Sequence, residues 1–339
     1  MSAQGHPRRE YPGSAPAPRA APATAATGNT RELYRFIWRT SARDQMALVA
    51  LSTGVFLLEL APLELQRRIV NAAVDHREYK VIALLCGVYL VVSLLHGGLK
   101  LVTNVYRGSV SEKTNRHLRL QLGPRAKDDA LHEAGAGVRI SIIVSESEAV
   151  GGFAGGSFAE PVLNAGILLS VFGYMVIVQP WMALIAFVMF SPQFLFISAL
   201  QEAINRRTAR RIETLRELSA SIVEEQSTGA GLHGLRRFRR RIRYVYLLNI
   251  QIFTRKFGMN FLMNLLYSLG VIGILAVGGW LVLNGRTEVG TIVAFISGVA
   301  RMNTPWRDLM TWFRELSNAG TKYRLIVNAV GGATLHAAD

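Results

Sequence analysis

The chain has 339 residues, half of them apolar, and 38 Lys and Arg against 23 Asp and Glu, a net charge of +15. Counted with Gly, its apolar share passes the soluble norm of about 45 to 50%, which excludes a disordered, collagenous or disulfide-built chain. The sole cysteine, Cys86, excludes an intrachain disulfide and a zinc site made from several thiolates.

At about 150 residues per domain the length suggests two soluble domains, but the apolar residues collect in long blocks that overrule this prior. Residues 1–30 are rich in Ala and Pro and lack an apolar h-region, so they predict a disordered cytoplasmic tail and not a signal peptide. About 20 helical residues cross a hydrocarbon core of about 30 Å. On that measure six spans are predicted, at about 46–66, 81–106, 161–178, 181–200, 257–283 and 289–313. Gln179 and Pro180 alone separate the third and fourth, which form a tight hairpin. The expected fold is an all-α polytopic membrane protein with six transmembrane helices in residues 31–326 and a short tail at 327–339. Of the 38 Lys and Arg, 32 fall before residue 46, in 107–160, in 201–256 and from 301 onward, and only five in the alternate loops. Both termini are therefore expected in the cytoplasm, at a bacterial plasma (inner) membrane. The same asymmetry explains the high positive charge without a nucleic-acid partner.

The two internal cytoplasmic connections are far longer than ordinary helix-to-helix loops of about 2 to 8 residues. Between residues 201 and 226 there is no Gly or Pro, so the fourth span continues as a helix into the cytoplasm. Arg206, Arg207, Arg210 and Arg211 share one face of it, suited to head groups, an acidic helix or an anionic substrate. Glycines 229, 231 and 234 break the helix, and six Arg between 236 and 243 open its return. The segment TNRHLRLQLGPRAKDD behaves alike: Gly123 and Pro124 are expected to stop one helix, and a return begins after AGAG at 134–137.

Charges inside spans are costly and point to a cavity or a partner. Glu59 lies about 13 residues into the first span, roughly 20 Å from the cytoplasmic face. His96 lies roughly 22 Å from the outer face, so a direct pair with Glu59 is not expected. Glu59 is a candidate for lining a pathway or, alternatively, for a structural hydrogen bond between helices. Glu64 and the Arg67-Arg68 pair sit at the outer end of the first span, where snorkelling is the ordinary explanation. Glu59, Glu64 and His96 are the pathway candidates.

Several stretches match a known pattern in order and spacing. GVRISIIVSESEAVGGF at 137–153 places Glu146 nine residues after a Gly; QPWMALIAFVMFSPQ at 179–193 is a hairpin with Pro192 in its second helix; NGRTEVGTIVAFISGVARMNTPWRDL at 284–309 has Gly-Thr, Ala-Phe and a later Pro. Together with six spans and two helical cytoplasmic hairpins, these resemble the transmembrane domain of ATP-binding cassette (ABC) exporters over residues 31–326. That resemblance implies a permease working as a homodimer or heterodimer of two transmembrane halves. It also implies that the cytoplasmic tips, at about 115–122 and 228–237, seat on nucleotide-binding domains through His117, Leu118, Arg119, Leu120, Leu232, Leu235 and Arg236. Ordinary solvated helix turns are the alternative reading of both tips. The second tip is several residues shorter than is usual in the family. The 26 residues after the sixth span are too few for an ATPase domain, so ATP and Mg are expected on another chain or on a missing C-terminal part.

No lysine stands in a G-x-x-x-x-G-K-[ST] phosphate loop, there is no H-E-x-x-H, and no two His lie closer than 15 residues. The chain itself is therefore expected to hold no catalytic site, cofactor or metal. Two further readings stay open: a permease of the same membrane fold driven by an ion gradient through Glu59, and a membrane scaffold or regulatory subunit that transports nothing.

Overall fold

A computed structural model describes residues 26–130, 136–228 and 232–329, and all eight elements found there are α-helices. They are α1 (Ala26–Leu58), α2 (Leu60–Val74), α3 (Tyr79–Ala130), α4 (Ala136–Gly156), α5 (Ala159–Val178), α6 (Pro180–Thr228), α7 (Leu232–Leu283) and α8 (Val289–Ala329). The expected N-terminal tail gives way to helix at Ala26, five residues early; the rest of that tail and the last ten residues lie outside the described ones.

Local chemistry sets the breaks. Pro62 has no N–H to return to Leu58, and the helix is interrupted three residues before the proline, at Glu59, between α1 and α2. Gln179 takes an extended conformation (φ −156°, ψ 97°), as a residue before proline does, and Pro180 opens α6 at its first helical position. After α7, Gly285 adopts φ 65° and closes the helix with Gly285 N–H to Val282 O and Arg286 N–H to Leu281 O. The same cap ends α2, but there His76 takes the left-handed position, at φ 52°. One expected break is absent: α3 continues through Gly123 and Pro124 to Ala130. Gly123 has no Cβ to clash with the proline ring and proline's fixed φ is itself helical, so what remains, a lost hydrogen bond and crowding of the ring against the carbonyl four residues back, does not force a turn.

The chain forms two compact units. Among the described residues the first takes in 26–44, 108–130, 136–156 and 313–329. Its core joins Leu33, Phe36 and Ile37 of α1, Val110 and Leu118 of α3, Val150 and Phe153 of α4, and Tyr323 and Ile326 of α8. Phe36 meets Tyr323 at 5.5 Å between ring centroids, and Tyr34 meets Phe153 edge-on at 6.3 Å. Gly151 lets α4 lie against α3, since a Cβ there would fall 2.9 Å from Asn115 Cα. Lys322 Nζ, 3.0 Å from a Glu146 carboxylate oxygen, ties α8 to α4.

The second unit, Gln45–Arg107 and Ser157–Trp312, has a core of Leu63, Val171, Met175, Met182, Ile274 and Phe295 drawn from α2, α5, α6, α7 and α8. Within it α6 and α7 are about 74 and 78 Å long at 1.5 Å per residue and pair antiparallel in one register. Arg207 donates to Gln251 (3.0 Å), Arg211 donates to Asn249 (3.2 Å), and Arg241 lies 3.8 Å from Glu217. Continued upward, that register sets Leu200 beside residues 257 and 258, so the apolar halves of both helices end at one level.

Among the described residues four stretches are long and apolar enough to cross a membrane: Thr30–Val74, Tyr79–Gln121, Ala159–Val178 and Phe238–Leu283. The other two predicted spans, 181–200 and 289–313, fall at the starts of α6 and α8. The described apolar start of α6, Pro180–Met189, is shorter, and Arg301 interrupts α8. Nothing in the most apolar window of α3 is buried: Leu84, Leu94 and Leu95 are 69%, 67% and 60% exposed. A helix so uniformly apolar and uncovered fits a membrane protein, where lipid or another chain covers it.

Candidate functional site

The interruption at Glu59 places a carboxylate in the interior of the second unit. Its side chain is 12% exposed, and Arg301 of α8 donates a hydrogen bond from Nη1 to Oε1. On the other side His96 of α3 brings Nε2 to 2.7 Å from Oε2, a close approach without the alignment of a good hydrogen bond. One carboxylate thus joins three elements: the α1/α2 junction, α3 and α8.

This geometry corrects the separation expected of Glu59 and His96. The edges of the hydropathy spans are the wrong ruler for depth, because α2 continues to Val74 and the hairpin turns at residues 75–78. Counted from the turn, Glu59 lies 16 residues before Asp75 and His96 lies 18 residues after Glu78. At 1.5 Å per residue these depths differ by only about 3 Å. Arg301, inside the sixth span, is not among the expected site residues, because a lone basic residue in an apolar stretch marks the span as weak before it marks a partner. The available signal was one basic residue in the apolar start of α8, facing one unpaired acid in the first span.

Glu64 belongs to a second network, nearer the hairpin. It accepts from Tyr174 of α5 (2.9 Å), from Arg68 (2.7 Å) and from Arg67 (3.3 Å). Arg67 also reaches Glu288 at 3.2 Å, and Asn71 donates to the same carboxylate. Asn71 Oδ1 accepts from the Gly290 N–H at 2.7 Å. Gly290 is required there: a Cβ would stand 2.2 Å from the Arg67 carbonyl oxygen. With two acids and two bases this network is neutral, and it fastens the α2 end to the start of α8 and to α5. It accounts for Glu64, Arg67 and Arg68 as structure, where snorkelling was the expectation.

An apolar pocket of about 150 Å³ lies between α5, α6 and α8, lined by Leu168, Phe172, Ala186, Phe187, Val299 and Met302. Val299 and Met302 flank Arg301 in sequence. Among the described residues no three His, Cys, Asp or Glu converge as metal ligands would.

The residues expected at the cytoplasmic tips fall differently. His117, Leu118, Arg119 and Leu120 lie within α3, not at a turn, because the helix passes through Pro124. Leu118 is fully buried in the first unit, and His117, partly buried, stacks on Phe36 at 6.5 Å, so both pack the unit. Arg119 is half exposed, 3.9 Å from Glu148, and Leu120 is 64% exposed. Leu232 and Leu235 occupy the first turn of α7, their side chains outside the described ones, and Arg236 is exposed. The turns between α3 and α4 and between α6 and α7 also lie outside the described residues.

Compared with known protein families and with curated proteins, the sequence matches none.

Proposed function

We propose that this chain is the membrane-spanning permease component of an ATP-driven, ABC exporter-like transporter. In this reading it crosses the bilayer six times with both termini in the cytoplasm, pairs with a second transmembrane half, and takes its driving force from nucleotide-binding domains outside residues 1–339. The observation that supports it most is the α6/α7 hairpin. Helices of about 74 and 78 Å are more than twice the length a hydrocarbon core of about 30 Å needs. Their apolar halves end level with each other, and their arginine-rich halves continue as a packed pair. Such a pair can transmit a rigid-body movement from its far end to the membrane, as alternating access requires.

The contact surface for the ATPase shifts accordingly. Leu118 drops out as a contact, and Arg119 and Leu120 on α3 and Arg236 near the start of α7 remain as exposed candidates. Purified from its membrane, the chain is expected to bring down an ATPase whose activity is lost on combining Leu120→Asp with Arg236→Glu, with the melting temperature of the chain unchanged. Transport by the chain with no ATPase bound would overturn the reading.

A second reading, an ion-gradient permease using Glu59 as proton carrier, draws on the intramembrane carboxylate beside His96. Arg301 weighs against it, because protonating Glu59 would strand a largely buried guanidinium without its counter-ion. Uptake that survives ATP depletion and collapses with a protonophore would favour this second reading.

A further inference from the structure

We infer that the cationic face where α6 and α7 leave the apolar region binds the phosphate of an anionic phospholipid headgroup. Over residues 201–212 of α6 and 245–256 of α7 stand Arg206, Arg207, Arg210, Arg211, Arg255 and Lys256, with one acid, Glu202, 3.5 Å from Arg206. Among the described residues no carboxylate pairs with Arg207, Arg210, Arg211, Arg255 or Lys256.

What holds the two central guanidinium groups is neutral. Arg207 donates from Nε to the Gln251 side-chain oxygen and from Nη1 to the Ala203 carbonyl (3.1 Å), and Arg211 donates from Nη1 to Asn249 Oδ1. Amides and a carbonyl fix the orientation of a guanidinium without cancelling its charge, so the planar forks are pre-oriented and their charge is uncompensated. Arg207 is pushed below the usual arginine range by the hydration it gives up and by the charges of Arg255, Arg210 and Arg206. A bound anion would relieve that repulsion.

Position selects the lipid over a soluble phosphate. In the α6/α7 register Arg255 and Lys256 sit directly at the apolar edge, and Arg207 lies one turn further on. The headgroup layer is about 5 to 7 Å deep on each side of the core, and an arginine side chain spans the remaining distance. Basic clusters at this depth between cytoplasmic helix ends suit phosphate headgroups. The inference rests on the membrane reading of α6 and α7 and is independent of any ATPase.

The test is lipid selectivity of the full chain reconstituted in phosphatidylcholine bilayers containing trace spin-labelled phosphatidylglycerol or spin-labelled phosphatidylcholine. Phosphatidylglycerol is expected to associate at least about fivefold more strongly, about the effect of one well-placed cation. Arg207→Gln combined with Arg211→Gln is expected to bring the preference below about twofold. Arg239→Gln with Arg240→Gln, the same charge loss further along the hairpin, leaves it unchanged. Millimolar inorganic phosphate is expected to leave the preference intact. Equal losses in both double variants would overturn the site in favour of diffuse charge, and displacement by free phosphate, beyond a chloride control of equal ionic strength, would overturn the lipid as its ligand. An immobilised lipid shell without preference defeats this inference alone, whereas no immobilised shell for either lipid defeats the membrane reading beneath it. Selectivity appearing only with an acidic protein bound would likewise overturn it.

Discussion

Replacing Glu59 by Gln keeps the size and hydrogen-bonding capacity of the side chain and removes its charge from a site where it is 88% shielded and Arg301 is 26% exposed. Two unit charges about 4 Å apart attract by about 4 kcal/mol at an effective dielectric constant of about 20. Water reaching the exposed part of Arg301 recovers some of the loss, so Glu59→Gln is expected to cost about 2 to 3 kcal/mol, chiefly through the guanidinium left unpaired. Arg301→Gln is expected to cost about as much, since Glu59 keeps only His96 beside it. The double variant removes both charges together and should return to within about 1 kcal/mol of the parent. Reversible unfolding in mixed micelles, followed by circular dichroism, measures all four proteins of the cycle. Single effects that add within about 0.5 kcal/mol in the double variant would refute the pairing.

Gly290→Ala places a Cβ 2.2 Å from the Arg67 carbonyl oxygen and must push α8 off α2; the same unfolding assay should show a loss of at least about 2 kcal/mol. Leu118→Asp buries a charge in the first unit and is expected to cost about 3 kcal/mol or more, whereas Leu120→Asp, on the exposed side, should stay within about 0.5 kcal/mol. Burial raises Tyr34 to about 12, and burial together with the charge of Glu32 raises Tyr323. An unfolded tyrosine ionises near pH 10, so this contribution to stability is fully present below about pH 10 and is lost as pH climbs toward 12. Tyr34→Phe with Tyr323→Phe should flatten the alkaline fall in melting temperature; an unchanged fall would place its cause elsewhere.

Much of the architecture is legible in composition and punctuation. The uncharged run at 161–178, the Gln179-Pro180 break, the Asn284-Gly285 turn and the Gly- and Pro-free stretch at 201–226 each mark a helix boundary or its absence, and α5, α6 and α7 follow them. Less legible is a proline that a helix tolerates. Pro124 reads as a stop by propensity, yet a preceding glycine relieves part of the clash that disfavours a helix there, and the tip assigned to residues 115–122 became the interior of α3. His76 shows the converse, a helix cap built without the glycine that would announce it.

The site was half legible. An acid inside an apolar run is conspicuous, and Glu59 was singled out on that ground alone. Its partners depend on depth, which follows the hairpin turn and not the edges of hydrophobicity, and so His96 was assigned to the wrong level. Arg301 was hidden by its setting: a basic residue followed by Asn303, Thr304 and Pro305 reads as a weakening span. The Glu64 network could not be anticipated, because Tyr174 and Glu288 are remote in sequence and only packing brings them to α2.

The most direct check of the membrane reading is the sidedness of three positions in intact cells, each carrying a single cysteine in a Cys86→Ser background and probed with a membrane-impermeant thiol reagent. Arg77→Cys, in the turn after α2, and Arg286→Cys, in the turn after α7, are expected to react from outside; Arg240→Cys, on the arginine-rich half of α7, is expected to react only after the membrane is opened. Labelling of Arg240→Cys in intact cells, or of Arg77→Cys and Arg286→Cys from opposite faces, would contradict it.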